Sequence, residues 1–206
     1  MYDEPVTVVD YGPQAWLVEV ADPLGFAAAV HDALGDDVDE IVPAAATVLV
    51  TVASPADRAA IREALTSLRP ARTDHAAEVA AVELPVLYDG EDLEDVAEAT
   101  GMSVAEVVAR HAAPTYRCAF CGFAPGFGYL TGLDPSLHLP RRATPRIRIP
   151  AGAVAIAAGY SAVYPSASPG GWHLIGHTDA PMWRTDRDPP ALVVPGAEVH
   201  FVEVGR

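Results

Sequence analysis

The run Ala15-Trp-Leu-Val-Glu-Val20 reads as a strand. After Asp22-Pro23, residues 26–34 read as a helix, with Asp22 as N-cap, Pro23 as a suitable first helical residue and Gly35 as the stop. Residues 38–42 and 47–52 are β-branched runs separated by Pro43, which predicts a hairpin or two adjacent strands. Ser54-Pro-Ala-Asp-Arg58 starts a second helix by the same capping logic, and it runs to Leu68. Ile61, Leu65 and Leu68 fall on one face of it. Residues 78–88 predict another strand, leading into a second unit. Strand, helix, two strands, helix, strand is the order of a ferredoxin-like split βαβ unit.

Residues 92–111 predict two short helices around a turn at Gly101. Ser103 caps the second, and Glu106 sits where a capping box requires it. The layout imitates a helix-turn-helix reader. Such a reader needs polar and basic side chains along its second helix. This one offers Arg110 and His111 at its far end, behind a strongly acidic first helix, so it reads as a structural pair. After Thr115 short β-like runs alternate with Gly and Pro: 116–120, 146–149, 154–158, 173–175 and 198–204. That spacing predicts a closed or sandwiched antiparallel domain whose long loops build the site. The division is residues 1–84 and 85–206, the second opening on the helix pair.

Charge sharpens this division. Residues 1–85 hold 15 acids against 4 arginines, whereas residues 86–206 hold 13 against 9. The net charge of -15 disfavours nucleic acid and anionic membranes as partners. All 13 basic residues are arginines, so a Walker A loop, a Schiff-base enzyme and a Ser-Lys pair are excluded. The N-terminal residues carry early acids and no basic flank, unlike a signal peptide. The longest weakly polar stretch, residues 151–163, is too short to span a bilayer. A soluble cytoplasmic protein is expected.

No Asp or Glu occurs from Pro135 to Thr178, a stretch that holds Arg141, Arg142, Arg146 and Arg148 with His138, His173 and His177. Guanidinium forks suit carboxylates and phosphates, so the stretch reads as a pocket for an anion or as pairing partners for the acidic first domain or a partner subunit. Gly122-Phe-Ala-Pro-Gly-Phe-Gly-Tyr-Leu130 packs three aromatics among glycines. It reads as a ligand-facing loop or as a turn that plugs a small barrel. Ser168-Pro-Gly-Gly-Trp-His173 is a second Gly-rich turn whose amides could form an anion nest. Cys118-Ala-Phe-Cys121 has the CxxC spacing, but on a strand its sulfurs would face opposite sides. No further ligand is fixed for a zinc site, so the cysteines read as buried and apolar. His177-Thr-Asp179 sets a carboxylate near an imidazole without forming a triad. Asp89, Glu91 and Asp92 read as an acidic helix start rather than a metal site.

His111-Ala-Ala-Pro-Thr-Tyr116, Gly122-Phe-Ala-Pro-Gly-Phe-Gly-Tyr-Leu130, Pro140-Arg-Arg-Ala-Thr-Pro-Arg146, Val163-Tyr-Pro165 and Ser168-Pro-Gly-Gly-Trp-His-Leu-Ile-Gly176 stand in one order. Together they resemble the B-type subunits of the bacterial 5-oxoprolinase family, also described as allophanate hydrolase subunit 1 or as sporulation kinase inhibitors. The resemblance implies an α+β chain: a ferredoxin-like N-terminal domain, then a cyclophilin-like β-barrel domain. It implies a C-type 5-oxoprolinase companion and a third, A-type one. Their joint activity would be an ATP-dependent amidase that opens 5-oxoproline, a small anionic lactam, to glutamate. Phosphorylation of the lactam oxygen would activate the ring, with ATP bound either without a P-loop or on another subunit of the complex. It implies no nucleic acid and no membrane. Inhibition of a sensor histidine kinase, hydrolysis of a urea derivative and a carboxyltransferase role beside a biotinylated partner are the other expectations.

By the family pattern, Phe127, Tyr129, Arg146, Tyr164 and Trp172 would lie around the barrel's concave face. His111 and the Gly170-Gly171 turn would lie near it, and His177 is a further substrate-binding candidate. No residue is assigned as catalytic and no metal is expected. Three positions depart from the pattern: Tyr160 where the family usually has Gln, Ala162 where it has Gly, and His177 where it has Arg.

Overall fold

The computed structural model describes residues 6–53, 57–70 and 81–205. The chain divides into two compact units, Met1–His75 and Ala76–Arg206.

The first unit carries β1 (Thr7–Asp10), β2 (Ala15–Glu19), α1 (Pro23–Leu34), β3 (Glu40–Pro43), β4 (Thr47–Thr51) and α2 (Arg58–Ser67). All its strand pairs are antiparallel, in the order β1-β2-β4-β3. Alternation puts Trp16, Val18, Val48 and Val50 on one face, where they pack on Phe26 and Val30 of α1 and Leu65 of α2. Asp22 caps α1 by accepting from the Gly25 amide at 3.0 Å. Asp57 caps α2 through the Ala60 amide at 3.1 Å, while the expected start at Ser54 lies outside the described residues. The split βαβ order is present, with one difference. The edge strand beside β2 comes from the N-terminal segment, and the strand expected at 78–88 joins the second unit instead. Position 78 itself is outside the described residues.

The second unit carries β5 (Val82–Val86), α3 (Leu93–Thr100), α4 (Val104–Ala112), β6 (Tyr116–Cys121), β7 (Gly128–Thr131), β8 (Arg146–Ile149), β9 (Ala153–Ala157), β10 (Tyr160–Val163), β11 (Ser168–Gly170), β12 (His173–His177) and β13 (Glu198–Glu203). Seven strands form a sheet in the order β12-β9-β10-β7-β6-β13-β5. Leu87 and His177 exchange two backbone hydrogen bonds of 2.9 Å, which joins the last strand back to the first and nearly closes a barrel. β8 and β11 form a separate two-stranded ribbon.

The barrel interior draws side chains from every stave, among them Leu84, Phe201, Tyr116, Leu130, Val163, Ile156 and Ile175. Leu93 and Val96 of α3 and Val107 of α4 pack into the same cluster. The helix pair therefore spends its apolar face on the barrel, and no reading helix is presented. Gly101 ends α3 at a φ of 69°, which suits a residue without Cβ. Both bonds of the Ser103–Glu106 capping box are formed. β7, β10 and β11 lie in Gly-rich stretches that the hydrophobic pattern reads as loops. They are strands because long-range pairing supplies the hydrogen bonds that local propensity does not dictate. Among the described residues no helix is long and apolar enough to cross a membrane.

Candidate functional site

The staves β7, β9, β10 and β12 have a second, outward face. On β9 the large Val154 and Ile156 point into the barrel, while Ala153, Ala155 and Ala157 point outward. These alanines and Ala162 leave room for large rings above them. Phe127, Tyr164 and Trp172 fill that room, edge to face, with Phe127–Tyr164 centroids 5.3 Å apart and Phe127–Trp172 5.7 Å apart. Each of the three is at most 5% exposed, so they plug the face rather than line an open pocket. Tyr129 joins them at 5.0 Å from Phe127 and stays half-buried.

Four of the expected site residues thus converge on one surface, the outward one and not the interior. Gly170 belongs with them. A Cβ there would stand 2.4 Å from the Tyr164 hydroxyl, so only glycine lets the β11 ribbon lie on the ring. Gly171 follows it beneath the Arg142 carbonyl, at ordinary contact distance.

Around this plug runs a partly exposed rim. Phe120 stacks on Tyr129 at 4.2 Å and 16°, and Tyr160 meets both edge-on. Phe123 is 59% exposed, sits edge-on to Phe127 and Tyr164, and has a φ of 70°, a left-handed backbone rare for a bulky residue. Ser168 Oγ and His173 Nδ1 nearby are buried without a hydrogen-bond partner among the described residues. Phe120 was not legible as a site residue. Strict alternation sets it with Tyr116 and Cys118, but a bulge between Cys118 and Phe120 turns it to the outward face.

The other candidates lie elsewhere. Arg146 is not free for an anion. It grips Asp92 with Nη1 and Nη2, both at 2.8 Å, and Nε donates to Glu91 at 3.2 Å. Arg142 also donates to Asp92. Asp92, 1% exposed, further accepts from the Leu174 amide at 2.8 Å. It precedes α3 but makes no side-chain cap there. Half of the arginine island is therefore neutralised by an acid 50 residues upstream. Arg141 and Arg148 are exposed and form no ion pair with a described residue.

His177 sits on the seam and pairs through Nδ1 with Asp89 at 2.8 Å, in place of Asp179. His111 lies in the barrel interior, fully buried between Tyr116 and Phe201, away from the aromatic face. Its Nδ1 meets the Tyr88 hydroxyl and its Nε2 the Ser161 hydroxyl, both at 2.8 Å. Burial pushes its pKa down to about 3, so it is neutral in the folded protein. An unfolded histidine titrates near ~6.5. The unfolded chain thus binds one more proton between those values, and stability falls as pH drops from about 6 toward 3. Substituting His111→Gln is expected to remove that one-proton slope in urea titrations across the window. An unchanged slope would refute the assignment.

The described residues hold no cluster of three or more His, Cys, Asp or Glu arranged for a metal.

A family model described as "Carboxyltransferase domain, subdomain C and D" matches residues 5–193. The chain is 48% identical over 124 residues to the B-type subunit of 5-oxoprolinase from Escherichia coli O157:H7, covering 59% of this chain and 57% of that one. It is 44% identical over 126 residues to the B-type subunit of 5-oxoprolinase from Bacillus subtilis, covering 60% and 52%. The matches thus span between about half and three fifths of those relatives' length. Among solved structures it resembles TTHA0988, with a TM-score of 0.81 and 34% identity over 94% of this chain and 41% of that one. The Kluyveromyces lactis urea carboxylase shares the fold, with a TM-score of 0.72 at 18% identity over 98% of this chain and 22% of that one.

Proposed function

Since the chain belongs to the carboxyltransferase domain, subdomain C and D family, we propose that it is one component of a heteromeric ATP-dependent 5-oxoprolinase, which opens 5-oxo-L-proline to L-glutamate. The aromatic face of its barrel contributes one wall of a site that a C-type companion completes, with an A-type companion in the same complex. The observation that carries this reading is the convergence of Phe127, Tyr129, Tyr164 and Trp172 on one face with a partly exposed rim. A five-membered lactam is compact and has an apolar edge of ring methylenes opposite its amide, and an aromatic rim suits that edge. Its carboxylate is matched by Arg141, whose charge reaches Tyr164 and which no described acid neutralises.

Phe127, Tyr164 and Trp172 fill the face in the single chain, which suits a half-built site. Phe123, Ile147 and Trp183 are exposed apolar residues of the same unit, 59%, 94% and 40% exposed, as expected of a surface that a partner covers. In TTHA0988 the matched part makes up only 41% of a longer chain, so a relative of this unit occurs covalently joined to further protein.

The chain has no lysine for a Walker A loop, and Asp92 engages Arg142 and Arg146. ATP in this proposal is held by the complex, and this chain's part is to bind and orient the lactam.

The test is co-expression with the C-type and A-type neighbours and an assay of ATP-dependent glutamate release from 5-oxoproline. The assembled complex is expected to turn over while the isolated chain does not. Tyr129→Ala is expected to lower kcat/KM at least ~10-fold without lowering the melting temperature appreciably. An assembled complex with no turnover, or a Tyr129→Ala complex of wild-type kcat/KM, would count against the proposal. Activity that appears only with a biotinylated partner and bicarbonate would replace it with carboxyl transfer.

A further inference from the structure

The β6 bulge has a second effect, on the CxxC pair. In a regular strand residues 118 and 121 project to opposite faces. The inserted residue shifts the register, with Cys118 opposite Leu130 and Cys121 opposite Gly128. Both cysteines therefore point to the same side. Their Sγ atoms lie 3.8 Å apart. Cys118 is fully buried, and Cys121 is partly accessible. Nothing else competes strongly for the sulfurs. Cys118 Sγ meets the Phe120 carbonyl at 3.5 Å and Cys121 Sγ the Val193 carbonyl at 3.6 Å, both weak contacts.

We propose that Cys118 and Cys121 are a reversible redox modification site, oxidised by a peroxide to an intramolecular disulfide. The two thiols have distinct roles. Cys121 is the partly accessible one of the two, so its sulfur is the one placed to meet the peroxide first. Cys118 is fully buried, so it waits as the resolving thiol. The Cys121 thiolate attacks a peroxide oxygen, the O–O bond breaks, and a sulfenic acid and hydroxide form. The Cys118 sulfur then attacks the sulfenic sulfur, loses its proton and expels hydroxide. In sum two thiols and one hydrogen peroxide yield one disulfide and two waters. Bringing 3.8 Å to a bond of ~2.05 Å needs rotation at both side chains and yielding of the strand between them. The bulge, where ladder bonds are already interrupted, is where β6 yields most readily.

The site is independent of the substrate proposed above, so its test uses no turnover assay. The full chain is reduced, freed of reductant and treated with one equivalent of hydrogen peroxide. Intact mass and free-thiol titration are then read. The expected product is a monomer about 2 Da lighter with both thiols lost, restored by dithiothreitol. Cys118→Ser is expected to gain about 16 Da as a sulfenic acid at Cys121 that dimedone traps. Cys118→Ala serves the same purpose if a buried hydroxyl prevents folding. Cys121→Ser is expected to leave Cys118 unreacted. Stepwise oxygen addition without the mass loss, a disulfide-linked dimer, or no reaction of the wild type would each overturn the proposal.

Discussion

Replacing Gly90 with alanine is expected to cost the barrel about 3 kcal/mol, at the upper end for overpacking, because the atoms nearest the new methyl are backbone and not the ends of flexible side chains. A Cβ at Gly90 would lie 2.3 Å from the Leu174 carbonyl oxygen, 2.4 Å from Ile175 C and 2.5 Å from the Gly176 nitrogen. All three are backbone atoms of β12, which pairs with β9 on either side of a bulge between Leu174 and Gly176. The same seam is bonded on both sides of Gly90, by the Leu87–His177 pair and by the Asp92 amide to the Leu174 carbonyl at 2.9 Å. To relieve the clash, residues 87–92 would have to lift off, and the barrel would open along its one non-strand closure. Gly101→Ala is the comparison. It faces open space, and its only penalty is the left-handed φ, about 1 kcal/mol. Urea denaturation followed by tryptophan fluorescence reads both. A Gly90→Ala midpoint equal to that of Gly101→Ala would mean that the seam does not bear on stability.

Asp92→Ala is expected to lower stability by about 3 kcal/mol at neutral pH. The variant loses a buried carboxylate and leaves two guanidinium groups with only the exposed carboxylates of Asp95 and Glu91 beside them. Removing one member of a buried ion pair is costly because the remaining charge stays desolvated, and the 29% and 20% exposure of Arg142 and Arg146 keeps the value at the low end. The effect is pH-dependent, with a definite sign. Burial alone raises the Asp92 pKa, but the Arg146 hydrogen bonds, the Leu174 amide and the charges of Arg146 and Arg142 outweigh it and hold the group below the usual carboxylate range. A carboxylate depressed on folding stabilises fully above its unfolded pKa of ~3.9, and the stabilisation is lost as pH falls through the folded value. The gap between wild type and Asp92→Ala is therefore constant from pH 7 to about 5 and narrows below about pH 4. Asp92→Asn keeps an acceptor for the Leu174 amide and loses the charge, so it falls between the two. Equal midpoints at pH 7, or a gap that does not narrow on acidification, would refute this role. The His111 slope opens at a higher pH and vanishes in His111→Gln, which separates the two effects.

Both positions show how far the chain's pattern reaches. Asp92 reads locally as part of an acidic helix start, and Gly90 as a residue before it. Their partners, Arg142, Arg146 and the β12 backbone, lie 50 to 86 residues downstream. Arg146 reads as an anion-binding side chain, and it is an arginine fork on a carboxylate. The chemistry was legible, but the carboxylate is the protein's own.

Much was decided by local physics and can be read along the chain. The Asp22 and Ser103 caps, the left-handed stop at Gly101, the alternation of β2, β4 and β9, and the inward packing of the helix pair each follow from a few neighbouring residues. The order of elements in the first unit belongs here too. Tertiary structure alone decided the rest. It chose the N-terminal strand as the edge of the first sheet, made strands of three Gly-rich segments, and sent His111 inward and Phe127, Tyr164 and Trp172 outward. It also placed the bulge that turns Cys118 and Cys121 to one side. The physical reason is the same in each. A cap or a stripe is settled within one helical turn, whereas a strand's pairing partner and the register of a bulge depend on backbone groups far away in sequence, and one inserted residue exchanges the faces of everything that follows.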